Sequence, residues 1–375
     1  MPNPYDPQNP AKPDYFGGRE EVLSVVRERI NRASSQRQSG GVLIYGHRGV
    51  GKTSLLNKLV DVVSFTGGVP SNNLVIYRRL SRTTSDSELY QILTESLLEQ
   101  VDARKSFLQR FGAAVSSVSV KAFEVELTAS RGPEVSRSQY SLWASTLRGL
   151  SNAAFILMAL DDADYLSPEA LGELKTIVEG PNPTPILLVV SGGVEFQQRL
   201  VDEYSPIARV FSGADFNIGK FTSREVGEVL EKPLANENTS WAQGAIAELN
   251  KLTGGYPYLV QCLASASYLE GEEITAERVS GAVSRAVEIG RAWLDREIPR
   301  ASDQDVLSFA RISSGLTGEI IRSSEMSVRG VSAPYIGRLV QLGVLKQVSR
   351  GRYSLQKSPM IATYQMLKRG LSISP

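Results

Sequence analysis

Cysteine is nearly absent: Cys262 stands alone in 375 residues, which excludes an intramolecular disulfide framework and fits a reducing compartment. Histidine is as scarce, with His47 the only one. No apolar stretch approaches the roughly 20 residues a membrane-spanning helix needs; the longest run covers 153–160. The start, Met1-Pro2-Asn3-Pro4-Tyr5-Asp6-Pro7, lacks the basic and apolar segments of a secretory leader. A soluble, cytoplasmic protein with no membrane partner is therefore expected. Acid is missing from one end. No Asp or Glu follows Glu325, while Arg329, Arg338, Lys346, Arg350, Arg352, Lys357, Lys368 and Arg369 do, so the last fifty residues carry +8. The preceding 325 residues hold 33 cations against 40 acids, or −7. That asymmetry suggests a C-terminal piece that meets something anionic.

What is present describes a folded chain of two or three domains, with 42% hydrophobic and 22% charged residues. Residues 1–15 are rich in Pro and Asn and read as an extended surface arm. From 16 to about 220, short apolar runs alternate with segments of helical period. Strands are expected at 42–45, 74–80, 155–160 and 186–190, and helices at 20–33, from Lys52 onward, at 87–101 and at 138–150. This alternation argues for a parallel sheet with helices on its faces. Residues 118–127 alternate loosely, as a hairpin or an extended excursion. Beyond Lys220 the strand signals fade. Helices at 223–231, 241–252, 257–269 and 276–291 make a helical domain over 221–299. Helices at 303–313, 318–325 and 333–342, a strand at 344–348, a turn at Ser349-Arg350-Gly351 and a strand at 352–355 give 300–375 a winged-helix pattern.

Gly46-His47-Arg48-Gly49-Val50-Gly51-Lys52-Thr53-Ser54 fits G-x-x-x-x-G-K-[ST], with a strand before it and a helix after it. Its glycines let backbone N–H groups turn around phosphates, and the helix offers its positive end. Lys52 supplies a point charge to the β- and γ-phosphates of ATP, and the Thr53 hydroxyl can ligate Mg²⁺. A chance glycine loop would lack these flanking patterns. Such a loop needs an acid at the end of another buried strand, and Phe155-Ile156-Leu157-Met158-Ala159-Leu160 ends in Asp161-Asp162. Asp161 is expected to hold the magnesium through water, and Asp162 to orient or deprotonate the attacking water. Two aspartates after an apolar run often only lead into a loop; their place about a hundred residues beyond the phosphate loop favours function. Asp164 reads as a solvated loop acid, His47 as a loop-lining residue and Cys262 as core.

Together these motifs resemble the AAA+ and STAND ATPases, especially archaeal-type ATPases and replication-initiator relatives with a C-terminal winged helix. The resemblance implies a P-loop NTPase α/β sheet, AAA+/STAND-like, with a helical lid and a C-terminal winged-helix domain. Tyr15-Phe16-Gly17-Gly18-Arg19-Glu20 is similar to the family's "F-x-G-R" entry motif, which places Phe16 and Arg19 beside the adenine. Gly46 to Ser54 and Ile156 to Asp162 match its Walker A and Walker B motifs. Ser191, after Ile186-Leu187-Leu188-Val189-Val190, takes the place of a sensor for the γ-phosphate or water. Thr253-Gly254-Gly255-Tyr256-Pro257 resembles the "G-x-P" lid feature, with Pro257 against the nucleotide. The family usually has Glu where Asp162 stands, so slow hydrolysis and a switch are expected more than a motor. No plain lid arginine is present. Arg199 and Arg209 lie where an arginine finger toward a neighbouring subunit would, or are surface arginines.

In the C-terminal piece, 332–345 has the pattern of a recognition helix, with Ile336, Leu339 and Val340 inward and Arg338 exposed. Arg350 and Arg352 fall on the wing. Cations on both elements suit phosphate contacts with double-stranded DNA; a solvated face, or a module for a protein partner, is the competing reading. Two functions follow: an ATP-driven switch acting on DNA, or an ATP-driven oligomerising signalling or defence scaffold. A small-molecule kinase would need an acceptor pocket, and none is legible.

Overall fold

The computed structural model describes residues 3–66, 69–70, 73–110, 139–144, 146–147, 155–181, 184–202, 205–314 and 320–372. The excursion expected at 118–127 lies outside the described residues. The chain forms two compact units. One comprises Arg19–Arg48 and Lys52–Ile218; the other comprises Met1–Gly18, Gly49–Gly51 and Gly219–Pro375.

In the first unit, five parallel strands form one sheet: β1 (Gly40–Tyr45), β2 (Leu74–Arg79), β3 (Ile156–Asp161), β4 (Ile186–Gly192) and β5 (Asp215–Asn217). Their spatial order is β2-β3-β4-β1-β5, with β2 and β5 at the edges. The two middle strands, β3 and β4, are buried along their whole length, as expected of a sheet covered on both sides. Alternation divides them: Met158, Leu160, Leu188 and Val190 join the cluster around α3 (Asp86–Arg110) and α4 (Pro168–Glu179). Leu157, Ala159, Leu187 and Val189 point to the opposite face and are also buried. Of the unit's other helices, α1 (Glu20–Gln36) packs on β1 and β4, α2 (Lys52–Ser64) on β2, β3 and β4, and α5 (Val194–Asp202) on β1 and β4. Residues 139–144 and 146–147 are helical, the described part of the helix expected at 138–150.

The second unit starts with helices α6 (Ser223–Glu231), α7 (Gln243–Thr253), α8 (Pro257–Ser267), α9 (Ala276–Gly281) and α10 (Val283–Ile289). The single helix expected at 276–291 is thus broken at Ala282. The strands Ser240–Trp241 (β6) and Glu273–Ile274 (β7) pair in parallel. The N-terminal arm is anchored, where a surface arm was expected. Tyr5 is buried, its ring edge-on to Trp241 and Tyr268, and its hydroxyl donates to the Leu230 carbonyl and accepts from the Trp241 indole.

The chain then continues through α11 (Asp303–Ser313), β8 (Ile320–Arg322), α12 (Ser323–Val328), α13 (Ala333–Gln341), β9 (Leu345–Ser349), β10 (Arg352–Leu355) and α14 (Pro359–Arg369). These three strands make an antiparallel sheet in the order β8-β10-β9. Residues 320–322 were expected in a helix. They pair with β10 instead, and the helix starts at Ser323, where the Glu325 carboxylate accepts from the Arg322 N–H at 3.1 Å. No helix among the described residues is long and apolar enough to cross a membrane.

Candidate functional site

Gly46 to Ser54 links β1 to α2. Gly49 and Gly51 have φ of 84° and 92°, a region glycine alone enters without strain, so the loop's bend is written in those two residues. Gly49 belongs to the second unit, and a Cβ there would stand 3.2 Å from the Trp293 indole nitrogen and from the Tyr258 Cβ, both of that unit. His47 and Arg48 are exposed and Val50 is buried. Lys52 opens α2 and turns back over the loop, its Nζ donating to the Gly46 carbonyl at 2.9 Å and the His47 carbonyl at 3.2 Å. Burial holds the Lys52 ammonium below the ordinary lysine range, against the opposing pull of Asp164, Asp162 and Asp161. A half-buried ammonium bonded to neutral carbonyls retains its charge for an anion.

Asp161 ends β3 and is fully buried. An isolated carboxylate there would be costly, and hydroxyls satisfy it. Thr53 Oγ1 donates to Oδ2 at 2.6 Å, Ser191 Oγ donates to Oδ1, and the Tyr77 hydroxyl stands 3.5 Å from Oδ2. Tyr77 is pushed up to about 12 by burial and by the Asp161 charge. The sheet makes this cluster possible: β3 lies between β2, which brings Tyr77, and β4, which brings Ser191. Thr53, Asp161 and Ser191, chosen from separate stretches of sequence, meet in one hydrogen-bonded group. A hydroxyl beside a carboxylate is the hard-oxygen donor set that suits Mg²⁺.

Asp162 adopts the left-handed conformation, φ 56°, which Asp tolerates better than most residues. Its N–H points to Ser191 Oγ at 3.4 Å and its carboxylate accepts from Arg79 Nε at 2.7 Å. The Arg79 side chain is 64% exposed and that of Asp162 31% exposed. Neither Arg79 nor Tyr77 was singled out from the sequence. The available signal was that β2 ends in Arg78-Arg79 on a strand bound for the sheet, but its pairing partner depends on strand order. Asp164, read as a solvated acid, accepts from the Gly193 N–H at 2.9 and 3.0 Å and so ties the loop after β3 to the end of β4.

The remaining candidates each have surroundings of their own. Arg199, on α5, donates to the Asp164 carbonyl at 2.8 Å. Arg209 is exposed and lines a groove of about 340 Å³ with Leu43, Val201 and Asp215. Arg19 caps α1 with φ 65°. Phe16, in the other unit, is buried and its carbonyl accepts from Lys232. Beside it, a Cβ on Gly17 would meet the Glu228 backbone at 3.1 Å. Pro257 is the buried first residue of α8, a position that needs no N–H. Before it, Gly254 and Gly255 both have positive φ, and a Cβ on Gly255 would stand 2.4 Å from the Phe221 carbonyl oxygen. Tyr256 rests on Trp293, ring centres 4.9 Å apart. Arg338, Arg350 and Arg352 are all exposed: Arg352 lies on the C-terminal sheet, Arg350 at the turn between β9 and β10, and Arg338 on α13 donates to Asp305 at 3.2 Å.

Residues 15–190 match the AAA ATPase domain family, and the parallel sheet of this stretch has the P-loop α/β fold. No curated protein matches the sequence. Two solved structures are similar along nearly their whole length. A Walker-type ATPase of Pyrococcus abyssi is 16% identical with a TM-score of 0.53, covering 96% of this chain and 99% of its own. The ORC2 protein of Aeropyrum pernix, solved as ADPNP and ADP complexes, is 15% identical with a TM-score of 0.56, covering 94% of each chain. At such identities the likeness is one of fold.

Proposed function

We propose that this chain is an ATP-dependent switch that couples nucleotide binding and slow hydrolysis to DNA. One observation carries the reading: Thr53, Asp161 and Ser191 share one hydrogen-bonded group, and the Lys52 ammonium beside Thr53 is bonded to neutral carbonyls of the glycine-bent loop. Lys52 and the loop amides bind the β- and γ-phosphates. Thr53 and Asp161 hold Mg²⁺, which supplies charge neutralisation for the phosphate oxygens. Asp162 orients or deprotonates the attacking water, and Ser191 fixes the strand end beside it. Because the usual Glu is replaced by Asp162, and Arg79 occupies that carboxylate, turnover is slow.

The order helix, strand, helix, helix and antiparallel hairpin from α11 to β10 supports the winged-helix reading, and the exposed arginines there support the DNA reading. A switch of this kind draws its energy from ATP contacting two states differently. Lys52→Ala is expected to abolish ATP binding while the far-ultraviolet circular dichroism stays that of the parent. Parental ATP affinity in that variant would remove the site assignment.

A further inference from the structure

The eight C-terminal cations are not equivalent. Four are paired inside their own unit: Arg338 with Asp305, Lys357 with Glu297, Lys368 with Asp295 and Arg369 with Asp303. Arg329 donates to the Ile312 carbonyl. Acids just upstream thus answer half of the charge that the sequence displays as +8. Lys346, Arg350 and Arg352 remain, all exposed, and Arg322 joins them. Among the described residues none of these four side chains forms an ion pair, and Glu325 engages the Arg322 backbone N–H.

Strand register brings them together. Ile320, Ser354 and Lys346 form one row across the sheet, and Arg322 stands opposite Arg352 in another. These rows are two residues apart along β8 and β10, so side-chain alternation puts Arg322, Lys346 and Arg352 on one face. The opposite face carries Ile321 and Leu345, both buried. Arg350 sits at the turn between β9 and β10. Like charges directly across a strand pair repel, and among the described residues no acid forms an ion pair with either arginine. Such a surface complements a ligand with closely repeated negative charge. Duplex DNA carries about one charge per 1.7 Å of axis. The face has no aromatic side chain, the platform on which single strands stack, because Tyr353 belongs to the other face.

Arg338 behaves differently. Its partner Asp305 is 1% exposed, with Oδ2 accepting from Arg338 and from the Ser302 hydroxyl and N–H, and with Oδ1 unpartnered. Turning Arg338 toward a phosphate would strip a buried carboxylate of its cation. The rest of the outward side of α13 is Ala333, Pro334, Gly337, Val340 and Gln341, which offers phosphate no charge.

We propose that duplex DNA is held by the exposed face of the β8-β10-β9 sheet, through Arg322, Lys346, Arg350 and Arg352, and that Arg338 on α13 is a positioning residue that clamps Asp305. The assignment rests on the DNA reading above and replaces its recognition helix with the sheet. Phosphate contacts without a base-reading helix give binding that tolerates sequence.

The test is fluorescence anisotropy of the full chain on a mixed-sequence duplex across a salt series. Four phosphate contacts give log K against log salt a slope of about −3.6, at roughly 0.9 per contact. Alanine at Arg322, Lys346, Arg350 or Arg352 should each flatten the slope by about 0.9. Arg338→Met should leave the slope unchanged and lower the melting temperature. Where that variant does not fold, Asp305→Asn/Arg338→Met removes both charges together, and its slope should equal the parent's. A flatter slope in the paired variant, or parental slopes in the four sheet variants, overturns the assignment while DNA binding stands. Absence of duplex binding by the parent chain at low salt overturns the DNA reading itself.

Discussion

Ser191→Ala tests the buried cluster around Asp161 most directly. The substitution deletes the donor to Oδ1 of a carboxylate with no solvent access, leaving only Thr53, 2.6 Å from the other oxygen, and the long contact from Tyr77. Stranding a charged acceptor in this way costs about 2 kcal/mol, within the usual range of about 1–3. For a domain of this size that corresponds to a fall in melting temperature of roughly 4–8 °C. The decisive measurement is a cycle of urea unfolding without nucleotide, using Ser191→Ala, Asp161→Ala and both together. Removing both partners takes away acceptor and donor alike, so the double variant should recover about 1–2 kcal/mol relative to the sum of the singles. Additive effects within about 0.5 kcal/mol would mean that the hydroxyl does not serve the carboxylate, and the reasoning would fail.

Arg79→Ala should release the Asp162 carboxylate from its ion pair, free it to reach the attacking water and raise steady-state phosphate release several-fold; an unchanged or lower rate would refute a restraining role for Arg79. ATP affinity should depend on pH through Lys52. Burial disfavours the ammonium in the folded chain, so Lys52 loses its proton below the usual value of about 10.4. The charge needed for ATP therefore disappears earlier as pH rises. Affinity that stays flat up to pH about 10, measured by isothermal titration, would contradict this.

Local patterns were the most legible. The phosphate loop is continuous in sequence, and its two positive-φ glycines are visible as glycines. Asp161 could be read because a fully buried strand is a continuous apolar run, and its end is where the run stops. Arg79 could not, since nothing near it in sequence indicates that β2 lies beside β3. Three residues, 320–322, are too few to show a period, and their flanking Ser-Ser-Glu resembles the start of a helix, which it also is. The C-terminal charge was counted correctly but misled as a whole: Arg338 and Asp305 are 33 positions apart, and only packing reveals that they neutralise each other.

Tyr5 also bears on how the chain assembles during synthesis. Its two hydrogen-bond partners, Leu230 and Trp241, follow it by 225 and 236 positions. A ribosome adding about 5–20 residues per second takes roughly 10–50 s to deliver them. Throughout that interval the tyrosine has no cradle, while the sheet-bearing stretch from Arg19 to Ile218 emerges complete between the two segments it interrupts. The segment around Tyr5 therefore finds its place only after the whole of the intervening sheet-bearing stretch has been made.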